Sequence, residues 1–196
     1  MKSAISARTN VYRIALDALF VALYVVLGTF ASIKIPGVIQ ISFSTLPILL
    51  AAFLLRPADA VGIALMGTFV EQVIDPSPYG FVTLPMWLIP GAVVALVASL
   101  GACYVRRLTA ARAKLIVMLI TVFFSELLLT ALNTTALYID GAILEYSVKA
   151  LHLLLPTRLL NGVARAVISC IAVPLLYTPL HKVLTKIFSR SPSING

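Results

Sequence analysis

The sequence predicts an all-α integral membrane protein of six transmembrane helices. Hydrophobic residues make up 61% of the 196 and charged residues only 11%, where soluble domains run at about half apolar and about a quarter charged. The mean hydropathy is +1.05. The apolar stretches are each about as long as a bilayer crossing and are separated by short segments that carry most of the basic residues. Six crossings at roughly 20 residues each use the chain up. That leaves no room for a soluble catalytic or nucleotide-binding domain, or for the large repeat of a typical secondary transporter.

The chain reads as one membrane domain, 1–196. The first span is 11–33, closed by the turn signal Lys34-Ile35-Pro36-Gly37. It follows Lys2, Arg8 and Arg13, is too long for a signal-peptide core, and precedes no small-residue cleavage site, so it reads as a retained helix. The second span is 41–55. Residues 39–44 alternate apolar and polar as an extended segment does, which shortens the helix there below the length a 30 Å core requires. Arg56-Pro57 ends it, and 58–74 is the third span. Asp75-Pro76-Ser77-Pro78-Tyr79-Gly80 is a loop. The fourth span, 84–105, contains Pro90-Gly91 and stops at Arg106-Arg107. The fifth is 115–138. Residues 140–152 are amphipathic and mildly polar, a long loop or a short interfacial helix, and 156–184 is the sixth span.

Fifteen Lys and Arg against seven Asp and Glu give a net charge of +8. In a soluble protein that balance would point to nucleic acid; between apolar spans it reports orientation. With the N-terminus inside, eleven basic residues fall on the cytoplasmic side: Lys2, Arg8, Arg13, Arg56, Arg106, Arg107, Arg112, Lys114, Lys182, Lys186 and Arg190. Only Lys34 and Lys149 fall outside. Both termini are therefore expected in the cytoplasm of a multi-pass cell-membrane protein. Cys103 and Cys170 lie in apolar runs, so neither a disulfide framework nor a metal site is expected, and nothing calls for a cofactor.

Ionisable groups inside a bilayer mark function or partnered structure. They are Glu71, Glu126, Arg158 and Arg165; Asp17 lies near the cytoplasmic edge, four residues from Arg13. Asn133 and Glu126 are seven residues apart on the fifth span, Arg158 and Arg165 seven apart on the sixth. In antiparallel helices this places Asn133 level with Arg158 near the outer face and Glu126 level with Arg165, roughly 10 Å deeper. Glu126 and Arg165 are expected to form a structural ion pair. Arg158 and Asn161 are expected to face a ligand, together with Asn133 and Glu71. Aromatic side chains gather at the same end: Phe43, Tyr79, Phe81 and Trp87, the only tryptophan. Each alone would fit an interfacial belt; with the polar groups they outline a pocket that stacks a flat ring and holds a carboxylate. Ala18 and Ala22, four apart on the first span, permit close helix approach.

Several of these features together resemble the substrate-binding S components of energy-coupling factor (ECF) transporters, the prokaryotic vitamin-uptake systems. They are six spans in this length, the Ala18/Ala22 pair, Ile41-Ser-Phe-Ser-Thr-Leu-Pro47 opening the second helix, a Pro-containing external loop before the fourth, and Leu155-Pro-Thr-Arg158-Leu-Leu-Asn161 opening the last. The Ile-Ser-Phe-Ser…Pro and Leu-Pro-x-Arg…Asn elements are most similar to the folate-type branch. The resemblance implies a protein that is not an enzyme. It would bind a water-soluble vitamin outside the cell, folate first, with pantothenate, cobalamin or another micronutrient as alternatives. It would dock through Ala18 and Ala22 on a transmembrane coupling subunit carried by two ABC ATPases. The chain has no Gly-x-x-x-x-Gly-Lys-Ser/Thr loop of its own.

Two other classes compete. A stand-alone carrier or structural membrane protein would use the same spans without partners. A membrane enzyme would need a constellation that is missing: His152 and His181 fall at opposite faces, and the seven acids do not cluster for metal.

Overall fold

The computed structural model describes residues 2–31, 33–35, 39–74, 84–143 and 148–189. Six helices carry the architecture: α1 (Lys2–Thr29), α2 (Thr45–Leu54), α3 (Pro57–Ile74), α4 (Leu84–Arg107), α5 (Ala111–Ile143) and α6 (Val148–Ser189). Between α1 and α2, β1 (Ile33–Ile35) and β2 (Ile39–Ile41) pair antiparallel, with Lys34 opposite Gln40.

The long helices are long because their apolar pattern runs on, through Pro90 in α4 and through Pro156, Pro174 and Pro179 in α6. Five have the length and hydropathy to cross a membrane. Their outward faces are apolar, from Leu19 and Val26 on α1 to Leu160, Val167 and Ile171 on α6, as lipid contact requires.

The departures from the sequence expectation lie at the ends. The first helix closes at Thr29 instead of 33, and 33–35, the end of the expected span and the start of the expected turn, is a strand. The fifth helix continues past 138 to Ile143, and the sixth begins at Val148, so most of 140–152 is helix rather than loop. Pro156, expected to open the last helix, lies inside it with Pro174 and Pro179. Within a membrane neighbouring elements re-satisfy the carbonyls that such prolines free. Arg158 is therefore ten residues into α6 instead of at its first turn.

The second span divides as its alternation foretold: β2, then the ten-residue α2. At about 15 Å that helix cannot cross alone. It is the hub of the bundle instead. Pro47, Ile48, Leu49, Leu50, Ala51, Ala52 and Phe53 are all buried, and α1, α3, α4 and α6 all pack on it. Ser44 precedes it, its amide donating to Ser42 Oγ at 3.3 Å. At the other end Arg106 Nη2 donates to the carbonyls of Phe53 (3.0 Å) and Leu55 (2.8 Å), meeting acceptors that every helix end leaves open. Arg106→Ala should lower stability by about 1–2 kcal/mol, read as a fall in thermal midpoint in detergent of about 2–8 °C. An unchanged midpoint would show that water caps α2 equally well.

Close approaches between helices occur where a side chain is missing. A Cβ on Gly67 would meet the Tyr24 ring at 2.7 Å, and one on Gly162 would run into Thr130. The first brings α3 onto α1 and the second brings α6 onto α5. Near the expected cytoplasmic ends, Arg13 grips Asp59 with both Nε (2.9 Å) and Nη2. The Asp59 side chain is only 7% exposed. Arg13 thus ties α1 to α3, with Asp17 one turn along also feeling its charge.

Candidate ligand site and family

The α5–α6 seam carries most of the expected polar residues. In helical projection, at about 100° per residue, Arg158, Asn161, Arg165 and Ser169 fall on one side of α6. The exposed Leu160, Val163, Val167 and Ile171 fall on the other. Along α5 the matching stripe is Glu126, Thr130, Asn133 and Leu137. The lipid-facing side of α6 is thus apolar and its inner side polar.

Two layers follow the expected depths. In the outer layer Arg158 Nη1 donates to the Asn133 carbonyl at 3.3 Å, so these residues are level, as their spacing required. Asn161, one turn below, is half-buried. Farther out Tyr138 Oη and His152 Nδ1 lie 3.0 Å apart, tying α5 to α6 above the layer. In the inner layer Glu126 is fully buried. Ser169 Oγ donates to its Oε1 at 2.7 Å, and Arg165 Nη2 donates to Thr130 Oγ1 at 3.1 Å. Glu126 and Arg165 face the same seam, but each is bound to a hydroxyl. Among the described residues the ion pair within contact distance is Arg13–Asp59, so the direct Glu126–Arg165 bridge is replaced by a four-residue layer. Glu126 Oε2 and Arg165 Nε are buried there without a hydrogen-bond partner.

Glu71 goes elsewhere. Its carboxylate lies against Gly28 of α1, where a Cβ would strike it. It shares the α1–α2–α3 junction with Tyr24, whose hydroxyl is 3.2 Å from Thr68 Oγ1 and within reach of Glu71 and Ser44. Phe43 follows β2, which lies against α6. Phe43 and Trp87, the latter in the first turn of α4, are both half-buried. Tyr79 and Phe81 lie outside the described residues. Ala18 and Ala22 are exposed on the face of α1 opposite Phe20, Tyr24 and Gly28.

Thr130 and Ser169 prove to be the direct partners of Arg165 and Glu126. Ser169 is four residues beyond Arg165 on the same helical face, so its place opposite Glu126 could be read from spacing. The Tyr24–Thr68 link could not, because nothing in either local sequence marks the other as its neighbour.

With the geometry in place, comparison with known proteins is decisive about the family. A sequence model described as "ECF-type riboflavin transporter, S component" matches residues 8–182. The chain belongs to this S-component family. A solved structure titled "Structure and mechanism of the S component of a bacterial ECF transporter" superposes with a TM-score of 0.62. It covers 89% of this chain and 98% of the other at 19% sequence identity. That likeness carries the fold. No curated protein matches. The S component is thus a substrate-binding subunit of an ECF transporter, a multi-pass membrane protein and not an enzyme. The folate-type branch expected from short motifs is not the branch whose model matches.

Proposed function

We propose that this S component captures riboflavin from outside the cell, in a site built on the α5–α6 seam from Arg158, Asn161 and Asn133. Phe43, Trp87 and Tyr79 would pack against the flat isoalloxazine ring. The carrying observation is the polar inner stripe of α6, opposite its lipid face and level with Asn133. Support for the ligand comes from the description of the family, whose members are riboflavin-type. A ring of this kind gains by stacking on aromatic side chains, and its carbonyls and ribityl hydroxyls match the donors of Arg158 and Asn161. Glu71, placed at the α1–α2–α3 junction, would support the outer wall through Tyr24 and Ser44.

Folate stays a second reading on one observation. Arg158 is a guanidinium at the outer layer, and its planar fork suits a carboxylate, which folate has and riboflavin lacks. Titrating the purified S component with riboflavin, folate, pantothenate and cobalamin separates these readings. Riboflavin fluorescence should be quenched with saturable, sub-micromolar affinity. Saturable binding of folate with none of riboflavin would overturn the assignment.

The S component would work with a transmembrane coupling subunit and two ABC ATPases, which would hydrolyse the ATP. The exposed Ala18/Ala22 face of α1 would dock on the coupling subunit. Both termini would lie in the cytoplasm of a prokaryotic cell, as the basic residues require. A single cysteine at position 110 or 190 of a cysteine-free variant should resist an impermeant thiol reagent added outside, and labelling there would reverse the topology.

A further inference from the structure

The inner layer poses a problem the proposed site does not resolve. Arg165 is a cation at mid-membrane depth, and such a group is retained only where it has something to hold. Its surroundings exclude two ordinary explanations. It cannot reach lipid, because Leu160, Val163, Val167 and Ile171 occupy the lipid-facing side of α6 and Arg165 lies opposite them. It is not consumed by Glu126 either: that carboxylate takes its hydrogen bond from Ser169, and its second oxygen is buried without a partner. Among the described residues the guanidinium spends one N–H on Thr130, while its buried Nε–H has no acceptor. Glu126 thus balances the charge from nearby and leaves the Nε–H of the fork without an acceptor.

We propose that Arg165 is a second ligand contact, below Arg158, that reads two adjacent acceptors on the ring edge of the ligand. A guanidinium fork pairs best with acceptors set side by side in a plane, as it does with the O6 and N7 of guanine. Isoalloxazine has such an edge in its C4 carbonyl and the neighbouring unprotonated N5. Pterin has the same pair; pantothenate has none. Arg165 lies roughly 10 Å below Arg158 along the helix, so a flat ring entering from outside would present its inner edge to Arg165 while Arg158 holds the outer part. Glu126, Thr130 and Ser169 are positioning residues in this arrangement. The inference rests on the riboflavin reading and adds which edge is read and by what.

The test compares riboflavin with 5-deazariboflavin, in which N5 becomes C–H and one acceptor disappears. The wild-type S component should bind the deaza compound about tenfold more weakly or worse. Arg165→Lys and Arg165→Gln should bind riboflavin more weakly and bring the two flavins within about twofold of each other. Equal affinities in the wild type would overturn the inference without any variant having to fold. Discrimination retained in a folded variant would overturn it as well. Should the wild type bind folate and not riboflavin, the riboflavin reading alone fails, and folate against 5-deazafolate decides the role of Arg165 by the same criterion. Binding of neither vitamin removes both.

Discussion

Arg158→Ala should weaken ligand binding by about ten- to a hundredfold while the S component still folds and inserts. The guanidinium lies at the α5–α6 seam, with Nη1 on the Asn133 carbonyl at 3.3 Å. A charge-assisted hydrogen bond to a buried ligand is worth roughly 1.5–3 kcal/mol, and each 1.4 kcal/mol is about tenfold in affinity. The packing core of the bundle lies elsewhere, around α2, so the loss should appear in the dissociation constant and not in the unfolding midpoint. Calorimetric or fluorescence titration of both proteins checks this. An unchanged affinity would remove Arg158 from the site.

Ala18→Trp or Ala22→Trp should do the reverse: abolish most uptake, by about tenfold or more, with ligand affinity of the isolated S component within about twofold of wild type. Both alanines are exposed on α1, and the opposite face of that helix is the one packed into the protein through Phe20 and Tyr24. An indole there would project from the face of α1 opposite the packed one. It would only hold off a partner helix that needs close backbone approach. Uptake into cells or vesicles carrying the whole transporter, set beside titration of the isolated subunit, separates the two effects. Parallel loss of both, or of neither, would move the docking face elsewhere on the surface.

These contrasting outcomes depend on features of unequal visibility in the sequence. The spans of α3 and α4 were readable almost to the residue, because Arg56-Pro57, Pro76 and Arg106-Arg107 punctuate them. The levels of Asn133 with Arg158 and of Glu126 with Arg165 followed from helix rise alone, since both helices are uninterrupted there. The ends of α5 and α6 differ from the expected 138 and 156 because polarity at 140–152 and Pro156 mimic a loop. In a soluble chain those signals do end helices; in a membrane bundle they are tolerated where neighbours meet the freed backbone groups. The expected Glu126–Arg165 pair takes an indirect form for a different reason. Opposite charges at equal depth invite pairing, but Ser169 donates to Glu126 Oε1 and Thr130 accepts from Arg165 Nη2, leaving Glu126 Oε2 and Arg165 Nε buried without a hydrogen-bond partner. Contacts between elements distant in sequence, such as Arg13 with Asp59 or Tyr24 with Thr68, depend on tertiary packing that no local pattern announces. Short motifs at Ile41–Pro47 and Leu155–Asn161 were sufficient for the superfamily. They were insufficient for the branch, because ligand identity is set by side chains from several elements at once.

The central claim is that this chain is the vitamin-binding subunit of an ECF transporter with a flavin site on the α5–α6 seam. Mass spectrometry of the small molecules released from the S component, purified without added vitamin from riboflavin-replete cells, tests it most directly. The account predicts near-stoichiometric riboflavin in the wild type and a marked loss of it in Arg158→Ala. A different vitamin in stoichiometric amount, or retained riboflavin undiminished in the variant, would contradict it.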